Sequence, residues 1–205
     1  KDERVIGADI DPSVVELVAN GKEPFPGEAD LEEKLNTVID SGMLRATTNT
    51  TEAVRESDYV IVVVPVIVDK QGNPDFTAID AATNDIAKGL KTGCLISYET
   101  TLPIGTTRNR FLPALESKSG LKCGTDFFLC HSPERVFSGR IFADLRKYPK
   151  LVGGTDRESS RKAVEFYKRI LDFDHRDDLE KPNGVWDLGT SEAAEMAKLV
   201  KNNLP

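Results

Sequence analysis

Cysteine, histidine and tryptophan are scarce in this chain of 205 residues, which contains three, two and one of them. The three cysteines have neither an even count nor metal-ligand spacing. We therefore expect free thiols, no metal site and a cytoplasmic protein rather than a disulfide-bonded secreted one. Long apolar runs are absent as well, since none approaches the roughly 20 residues needed to span a bilayer. The charged residues 1–4 are unlike a signal peptide, so we expect no membrane partner.

The chain has fewer basic than acidic residues. The chain has 34 acidic and 27 basic residues, which gives a net charge of -7. Domains that bind nucleic acid usually carry a basic face, so this class of partner is disfavoured. Anionic small molecules stay open as ligands, because helix N-termini and a few local cations bind phosphate even on an acidic protein.

The apolar residues predict a doubly wound, Rossmann-like α/β fold with a mostly parallel sheet. Short apolar runs alternate with segments of helical periodicity, and their connections are short. The run Tyr59–Val64 is almost entirely β-branched, which is typical of a strand buried on both faces. The other predicted strands are Val5–Ala8, Cys94–Tyr98, Phe127–Cys130 and Leu151–Val152, and the predicted helices include Leu31–Ser41, Thr77–Leu90 and Thr106–Leu115.

The last third of the chain is predicted in less detail. Thr155 and Glu158 form a capping-box pattern that predicts the start of another helix. The polar stretch Asp172–Gly189 is predicted to be a loop or a short hairpin. A new helix is predicted from residue 190 onward with Ser191 as its cap. We therefore divide the chain into a first domain, residues 1–189, and the start of a central helix, residues 190–205.

A glycine-rich turn of the form G-x-G-x-x-G occurs nowhere in the chain. In dinucleotide-binding folds this turn comes about 20 residues before the acid that holds the adenosine ribose. Asp9, at the end of the first predicted strand, is the candidate acid and would favour NAD over NADP. The glycine turn would then precede residue 1, and the chain would be a fragment. The alternative is that Asp9 only precedes a helix cap at Asp11.

Polar or strand-ending residues follow three of the predicted strands, and ligands of open α/β sheets bind beyond such carboxyl ends. Val64-Pro65 would line a cofactor crevice, unless it is an ordinary strand end. The hydroxyls of Thr100-Thr101 suit a bound water or a nicotinamide ring, although such pairs more often end strands or cap helices. Glu134 and Arg135 suit proton transfer and anion recognition, with a surface ion pair as the alternative.

Lys198 and Asn202 lie four residues apart and share one face of the last predicted helix. An ammonium group can stabilise an alkoxide formed from an alcohol, and an amide can orient the same oxygen. Most pairs with this spacing are simply solvated. His131 and His175 are isolated in the sequence, so a structural role is predicted for both.

Taken in order, eight segments resemble the N-terminal half of the UDP-sugar 6-dehydrogenase family, the UDP-glucose/GDP-mannose dehydrogenases. Pro-Glu-Arg-Val followed by Ser-Gly-Arg is more similar to the N-acetylhexosamine branch, which acts on UDP-N-acetylmannosamine, than to the glucose branch. The segments cover nearly the whole chain and are Val5–Asp11, Gly42–Thr48, Val60–Pro65, Gly72–Asp75, Thr100–Thr106, Ser132–Arg140, Val152–Gly154 and Glu192–Asn202.

The resemblance implies oxidation of the C6 hydroxymethyl group of a UDP-sugar to a carboxylate. The reaction would pass through an aldehyde and a cysteine thioester, with two NAD+ reduced, in a homodimer that pairs through the central helix.

The resemblance also implies a role for each site residue. Asp9 would hold the adenosine ribose, Val64, Pro65 and Thr101 would border the nicotinamide, and Thr101 would also place a water. Glu134 would assist proton transfer, Lys198 and Asn202 would stabilise the oxyanion, and these three with Arg135 and Val136 would contact the substrate.

Some features depart from the family pattern. Val66-Ile67 replaces the Thr-Pro of the family's Val-Pro-Thr-Pro, which removes a hydroxyl near the cofactor. The family's nucleophilic cysteine belongs to a C-terminal domain that this chain lacks, so the chain by itself is expected to be inactive.

Two other interpretations stay open. One is a β-hydroxyacid dehydrogenase, which shares the fold and the Lys-x-x-x-Asn helix but lacks the Pro-Glu-Arg-Val segment. The other is a non-catalytic nucleotide-binding module. An enzyme requires Thr101, Glu134, Lys198 and Asn202 to converge on one crevice, whereas a module does not.

Overall fold

A computed structural model describes residues 3–203, with side chains described as far as Val200. The strands are β1 Val5–Ala8, β2 Leu44–Thr47, β3 Tyr59–Val62, β4 Ile67–Val68, β5 Pro74–Asp75, β6 Leu95–Tyr98, β7 Phe128–His131, β8 Lys150–Gly154 and β9 Val185–Thr190. The helices are α1 Pro12–Ala19, α2 Leu31–Asp40, α3 Thr50–Glu56, α4 Thr77–Gly89, α5 Leu112–Ser119, α6 Ile141–Lys147, α7 Arg157–Ile170 and α8 Ser191–Asn203. A π-helical turn, Thr107–Phe111, leads into α5. None of the described helices is long and apolar enough to cross a membrane.

The main sheet has five strands in the order β3-β6-β7-β8-β9, and β1 pairs with β2 separately. Every pairing in these two sheets is parallel except that of β7 with β8. The prediction of a doubly wound, mostly parallel sheet is confirmed. Because β3, β6 and β7 run in one direction, their carboxyl ends share one edge of the sheet. The reversal of β8 brings its first residue, Lys150, to that same edge, which we call the carboxyl edge.

Helices cover both faces of the central strands. Ile96 and Leu129 pack with residues of α4 and α5 on one face. Leu95 and Cys130 pack with Tyr167 of α7 on the other. Since successive residues of a strand point to opposite faces, strands covered on both sides need apolar residues at every position. This explains the continuous apolar sequences of β6 and β7.

Strand β3 differs from its prediction. Tyr59, Ile61 and Val63 are 38%, 44% and 67% exposed, so the expectation of burial on both faces is wrong for this strand. Among the described residues β3 pairs on one side only, with β6. The β-branched sequence indicated the strand correctly but not how much of it would be covered.

The segment predicted as a loop or short hairpin also differs, because its end forms strand β9. This strand pairs in parallel with β8, with Val185 opposite Lys150. A hairpin would have produced an antiparallel pair. The backbone edge of β8 recruits this strand although its sequence contains Asp187 and Gly189, which are rare in strands.

Two helix caps lie one residue away from their predicted positions. The Asp156 carboxylate caps α7 by accepting the Ser159 N–H at 2.9 Å, while the Thr155 hydroxyl donates to the Leu129 carbonyl instead. The Thr190 hydroxyl, rather than Ser191, accepts the N–H of the third residue of its helix, Ala193, at 3.2 Å. In both cases the oxygen that reaches the free N–H belongs to the residue just before the first helical position.

Candidate active site

Two threonines follow β6 at the carboxyl edge, and their hydroxyls differ in what they contact. The Thr100 hydroxyl donates to the Val64 carbonyl at 2.7 Å and ties the end of β6 to the residues after β3. The half-buried Thr101 has no hydrogen-bond partner for its hydroxyl among the described residues. Thr101 is therefore the member of the pair that is available to a ligand. Val64 is half-buried and Pro65 is exposed beside it.

Glu134 follows β7 at the same edge and is held by backbone groups. Its N–H donates to the Glu99 carbonyl at 3.0 Å, which joins the ends of β6 and β7. Its carboxylate Oε1 accepts the N–H of Val136 at 2.6 Å and also the N–H of Arg135. The second oxygen, Oε2, accepts no hydrogen bond from a described residue, so it is available to a ligand.

Lys198 of α8 reaches these strand ends. Its Nζ donates to the backbone carbonyl of Glu134. Burial lowers the pKa of Lys198; Glu134 opposes this shift, and the charges of Arg135 and Lys150 add to it. The structure thus brings Lys198 and Glu134 together next to the loop that carries Thr101. The backbone of Asn202 belongs to α8, but its side chain lies outside the described part of the structure.

Arg135 and Val136 follow Glu134 and are both half-buried. The Arg135 guanidinium donates to the Pro149 carbonyl at 3.1 Å and lies 5.8 Å from the ring centre of Tyr148. These contacts hold the arginine against the segment between α6 and β8. Its predicted contact with substrate stays a prediction.

Asp9 lies at the end of β1, exposed to solvent. Its Oδ1 accepts the N–H of Asp11 at 2.9 Å, and Asp11 caps α1 by accepting the Ser13 N–H at 2.8 Å. Hydrogen bonds from Ser13 lower the pKa of Asp11. The Oδ2 of Asp9 accepts no hydrogen bond from a described residue, so this oxygen fits the hydroxyl of a ribose. The local hydrogen bond of Asp9 with Asp11 is therefore compatible with its predicted role in binding a ribose.

A buried ion pair lies beneath the candidate site, and the sequence did not indicate it. Lys150 Nζ lies 2.8 Å from Glu99 Oε2, and each side chain is only 8% exposed. The Tyr167 hydroxyl donates to Glu99 Oε1 at 2.5 Å, and Ser97 shares a hydrogen bond of 2.8 Å with the same hydroxyl. Lys150 also donates to the Ser132 carbonyl at 3.4 Å. The pair therefore joins the ends of β6 and β7 to β8 and α7, and the Glu99 carbonyl also accepts the N–H of Glu134.

The cysteines and His131 are buried to different degrees. Burial raises the pKa of both Cys94 and Cys130 to about 12, and it also raises the pKa of the half-buried Cys123. None of these thiols is poised to act as a nucleophile. His131 is fully buried, and neither ring nitrogen finds a partner among the described residues. Burial, followed by the charges of Lys150 and Lys198, lowers the pKa of His131 to about 3.

Residues 1–171 match the NAD-binding domain of the UDP-glucose/GDP-mannose dehydrogenase family. The chain belongs to this family. The UDP-N-acetyl-D-mannosamine dehydrogenase of Escherichia coli K12 is 30% identical over an alignment of 209 positions. The alignment covers 99% of this chain and 46% of the relative. The chain thus spans less than half the length of such curated relatives.

Solved structures of nucleotide-sugar dehydrogenases superpose on the chain over most of its length. The NDP-N-acetyl-D-galactosaminuronic acid dehydrogenase of Methanosarcina mazei Go1 has a TM-score of 0.85 at 33% identity, covering 98% of this chain and 41% of that one. The UDP-D-ManNAc dehydrogenase of Pyrococcus horikoshii has a TM-score of 0.87 at 28% identity, covering 98% and 44%. The chain therefore carries the NAD-binding domain of this family, and NAD is its cofactor.

Proposed function

We propose that the complete protein containing this chain oxidises the C6 hydroxymethyl group of a UDP-sugar, UDP-N-acetylmannosamine, to the uronic acid. The observation that carries this proposal is the contact of the Lys198 ammonium with the Glu134 carbonyl beside the Thr101 loop. This contact lies at the edge of the sheet where ligands of such folds bind, and the Glu134 carboxylate and the Thr101 hydroxyl would complete the site there. A nucleotide-binding module has no need of this combination.

NAD+ supplies the hydride acceptor in each of two successive oxidations. The residues of this chain would bind and orient it. Asp9 offers an unengaged carboxylate oxygen to the adenosine ribose, and its charge repels the extra phosphate of NADP. Val64 and Pro65 would border the nicotinamide, because they follow β3 at the carboxyl edge next to Thr101.

Chemistry at the sugar follows from the groups around Lys198. Its ammonium would stabilise the alkoxide that forms when the C6 hydroxyl loses its proton, and Asn202 would orient the same oxygen. Lowering of the Lys198 pKa by burial also makes this lysine a better partner for proton exchange at neutral pH. Glu134 would accept or return protons through Oε2, and Thr101 would hold the water that hydrolyses the thioester.

The balance of the reaction requires four electrons. Oxidation of the alcohol to the aldehyde would transfer one hydride to NAD+. A thiol would then add to the aldehyde, and oxidation of the adduct to a thioester would transfer a second hydride. Water would release the carboxylate and restore the thiol. Cys94, Cys123 and Cys130 are unsuited to this step because burial raises their pKa values, so we assign it to a cysteine of the complete protein outside this chain.

The proposed oligomer is a homodimer that pairs through α8. In support, Met196 and Val200 of this helix are 53% and 51% exposed. They lie four residues apart and so form an apolar stripe on one face. Light scattering of the complete protein would measure the mass directly, and a monomer would contradict this part of the proposal.

The proposal is tested by NADH formation in the complete protein with a panel of UDP-sugars. We expect two NADH for each UDP-N-acetylmannosamine and slower turnover of UDP-glucose. Lys198→Met should lower kcat by about 100-fold to 1,000-fold, the usual effect of removing an oxyanion-stabilising group. Lys88→Met is a matched control, because Lys88 is exposed and pairs only with Asp85 on α4 among the described residues. Faster turnover of UDP-glucose would reassign the substrate, and no NADH with any sugar would refute the enzyme and favour the module.

A further inference from the structure

Glu195 is a fully buried carboxylate on α8, three residues before Lys198. Its Oε2 accepts the N–H of Gly105 at 2.5 Å. Its Oε1 accepts both the N–H of Thr107 at 2.8 Å and the hydroxyl of the same threonine at 2.7 Å. Both oxygens are therefore engaged by the loop that follows Thr101 and by the π-helical turn at its end.

These hydrogen bonds make a strong and directional link. Burial raises the pKa of Glu195, and the hydrogen bonds from Thr107 and Gly105 lower it in return. A buried carboxylate is costly unless its oxygens are satisfied, and bonds from N–H groups to a charged acceptor are about twice as strong as neutral ones. The position of Glu195 relative to Gly105 and Thr107 is therefore closely defined.

We propose that Glu195 is a positioning residue that sets Lys198 at the correct distance from Thr101. Residues three apart on a helix share a face, so a displacement of Glu195 carries Lys198 with it. Gly105 is four residues after Thr101 in the same loop. The carboxylate thus ties together the two elements that supply the ammonium and the hydroxyl. This inference rests on the proposed function, because it assigns Glu195 a role that acts through Lys198.

A second contact between α8 and the π-helical turn provides a matched comparison. Glu192 pairs with Arg108 at 2.5 Å, but these side chains are 31% and 39% exposed. Exposed ion pairs contribute little to rigidity because water competes for both partners. Glu192 is thus the same residue type on the same helix, contacting the same turn, without the burial.

The test compares three variants of the complete protein by NADH formation. Glu195→Gln keeps the size of the side chain but removes the charge and turns an amide donor toward a backbone N–H. We expect kcat to fall about 100-fold, the loss typical of a displacement near 1 Å. The sugar KM should stay within about threefold, since a transition-state contact is affected. Thr107→Val, which removes one of the three hydrogen bonds, should lose about tenfold, and Glu192→Gln less than about threefold.

A second measurement on the complete protein does not depend on turnover. Lysines are methylated with ¹³C-formaldehyde, the Lys198 signal is assigned by its loss in Lys198→Arg, and its pKa is measured by NMR. We expect the pKa of Lys198 to rise toward its ordinary value in Glu195→Gln, because a displaced ammonium gains water. Loss of the negative charge alone would shift it the opposite way.

The outcomes separate the two proposals. A wild-type protein without turnover refutes the proposed function, and the pKa of Lys198 still decides the role of Glu195. Full kcat in Glu195→Gln, an equal loss in Glu192→Gln, or an unchanged or lowered pKa of Lys198 would overturn the positioning role. If Glu195→Gln fails to fold, Thr107→Val takes its place in both measurements, and wild-type values there overturn the role as well.

Discussion

Mild acid should destabilise this domain through one buried histidine. His131 ends β7 at the carboxyl edge, is fully buried, and has no hydrogen-bond partner on either ring nitrogen among the described residues. Burial and then the charges of Lys150 and Lys198 oppose its protonation and hold its pKa at about 3. The folded chain therefore contains a neutral imidazole down to strongly acidic pH.

The size of the effect follows from the two pKa values. In the unfolded chain the imidazole titrates at about 6.5. Below that pH the unfolded chain binds a proton that the folded chain does not, so the stability contributed by neutral His131 decreases as pH falls from about 6.5 toward 3. The slope approaches about 1.4 kcal/mol per pH unit. The free energy of unfolding should therefore fall by about 2 kcal/mol between about pH 7.5 and about pH 5 from this group alone.

Urea denaturation at several pH values, followed by circular dichroism, measures this loss. His131→Leu replaces the titrating imidazole with an apolar side chain of similar volume. About 2 kcal/mol of the pH dependence of the free energy of unfolding should therefore disappear in this variant. His175 is exposed and pairs with Asp177, so His175→Gln serves as the control and should keep the wild-type dependence. Identical slopes for wild type and His131→Leu would refute the reasoning, since they would show that protons reach His131 in the folded chain.

Three further substitutions test the groups around the site. Lys150→Met leaves the Glu99 carboxylate buried without its partner and should lower the free energy of unfolding by about 3–5 kcal/mol in urea. Adding Glu99→Gln should recover part of this loss. If Lys150→Met alone lowered the free energy of unfolding by less than about 1 kcal/mol, the ion pair would be solvated rather than buried. In the complete protein, Asp9→Asn should reduce the preference for NAD over NADP, measured as the ratio of kcat/KM values, by about tenfold or more. An unchanged ratio would contradict the ribose role, and Asp9 would then serve only to accept the N–H of Asp11.

The sequence predicts the elements of this fold best where both faces of a strand are covered. The uninterrupted apolar runs of β6 and β7 give their positions within one residue. Strand β2 is not predicted because Arg45 and Thr47 interrupt its apolar residues. Helices α3 and α6 are not predicted because they are only 7 residues long each and show too little periodicity. Strand β9 is missed for a different reason, since the neighbouring edge of β8 determines its pairing.

The residues of the candidate site also divide into those that the sequence predicts and those that it does not. Residues after parallel strands meet at one edge, so the convergence of Thr101 and Glu134 follows from the strand order alone. The position of Lys150 depends on the reversed direction of β8, which no local pattern reveals. Glu195 is equally hidden, because its partner Gly105 is 90 residues away and an acid on a helix usually indicates a solvated face.

The contacts that complete the site have a consequence for the order of folding. They join residues far apart in the chain, at separations of 90 for Glu195 with Gly105, 68 for Tyr167 with Glu99 and 64 for Lys198 with Glu134. Closing such long loops costs entropy before any contact compensates for it, so non-local pairings form late. A nascent chain that has emerged only through β7 already holds the strand ends but lacks the ammonium. The contact of Lys198 with these strand ends therefore forms only when α8 docks.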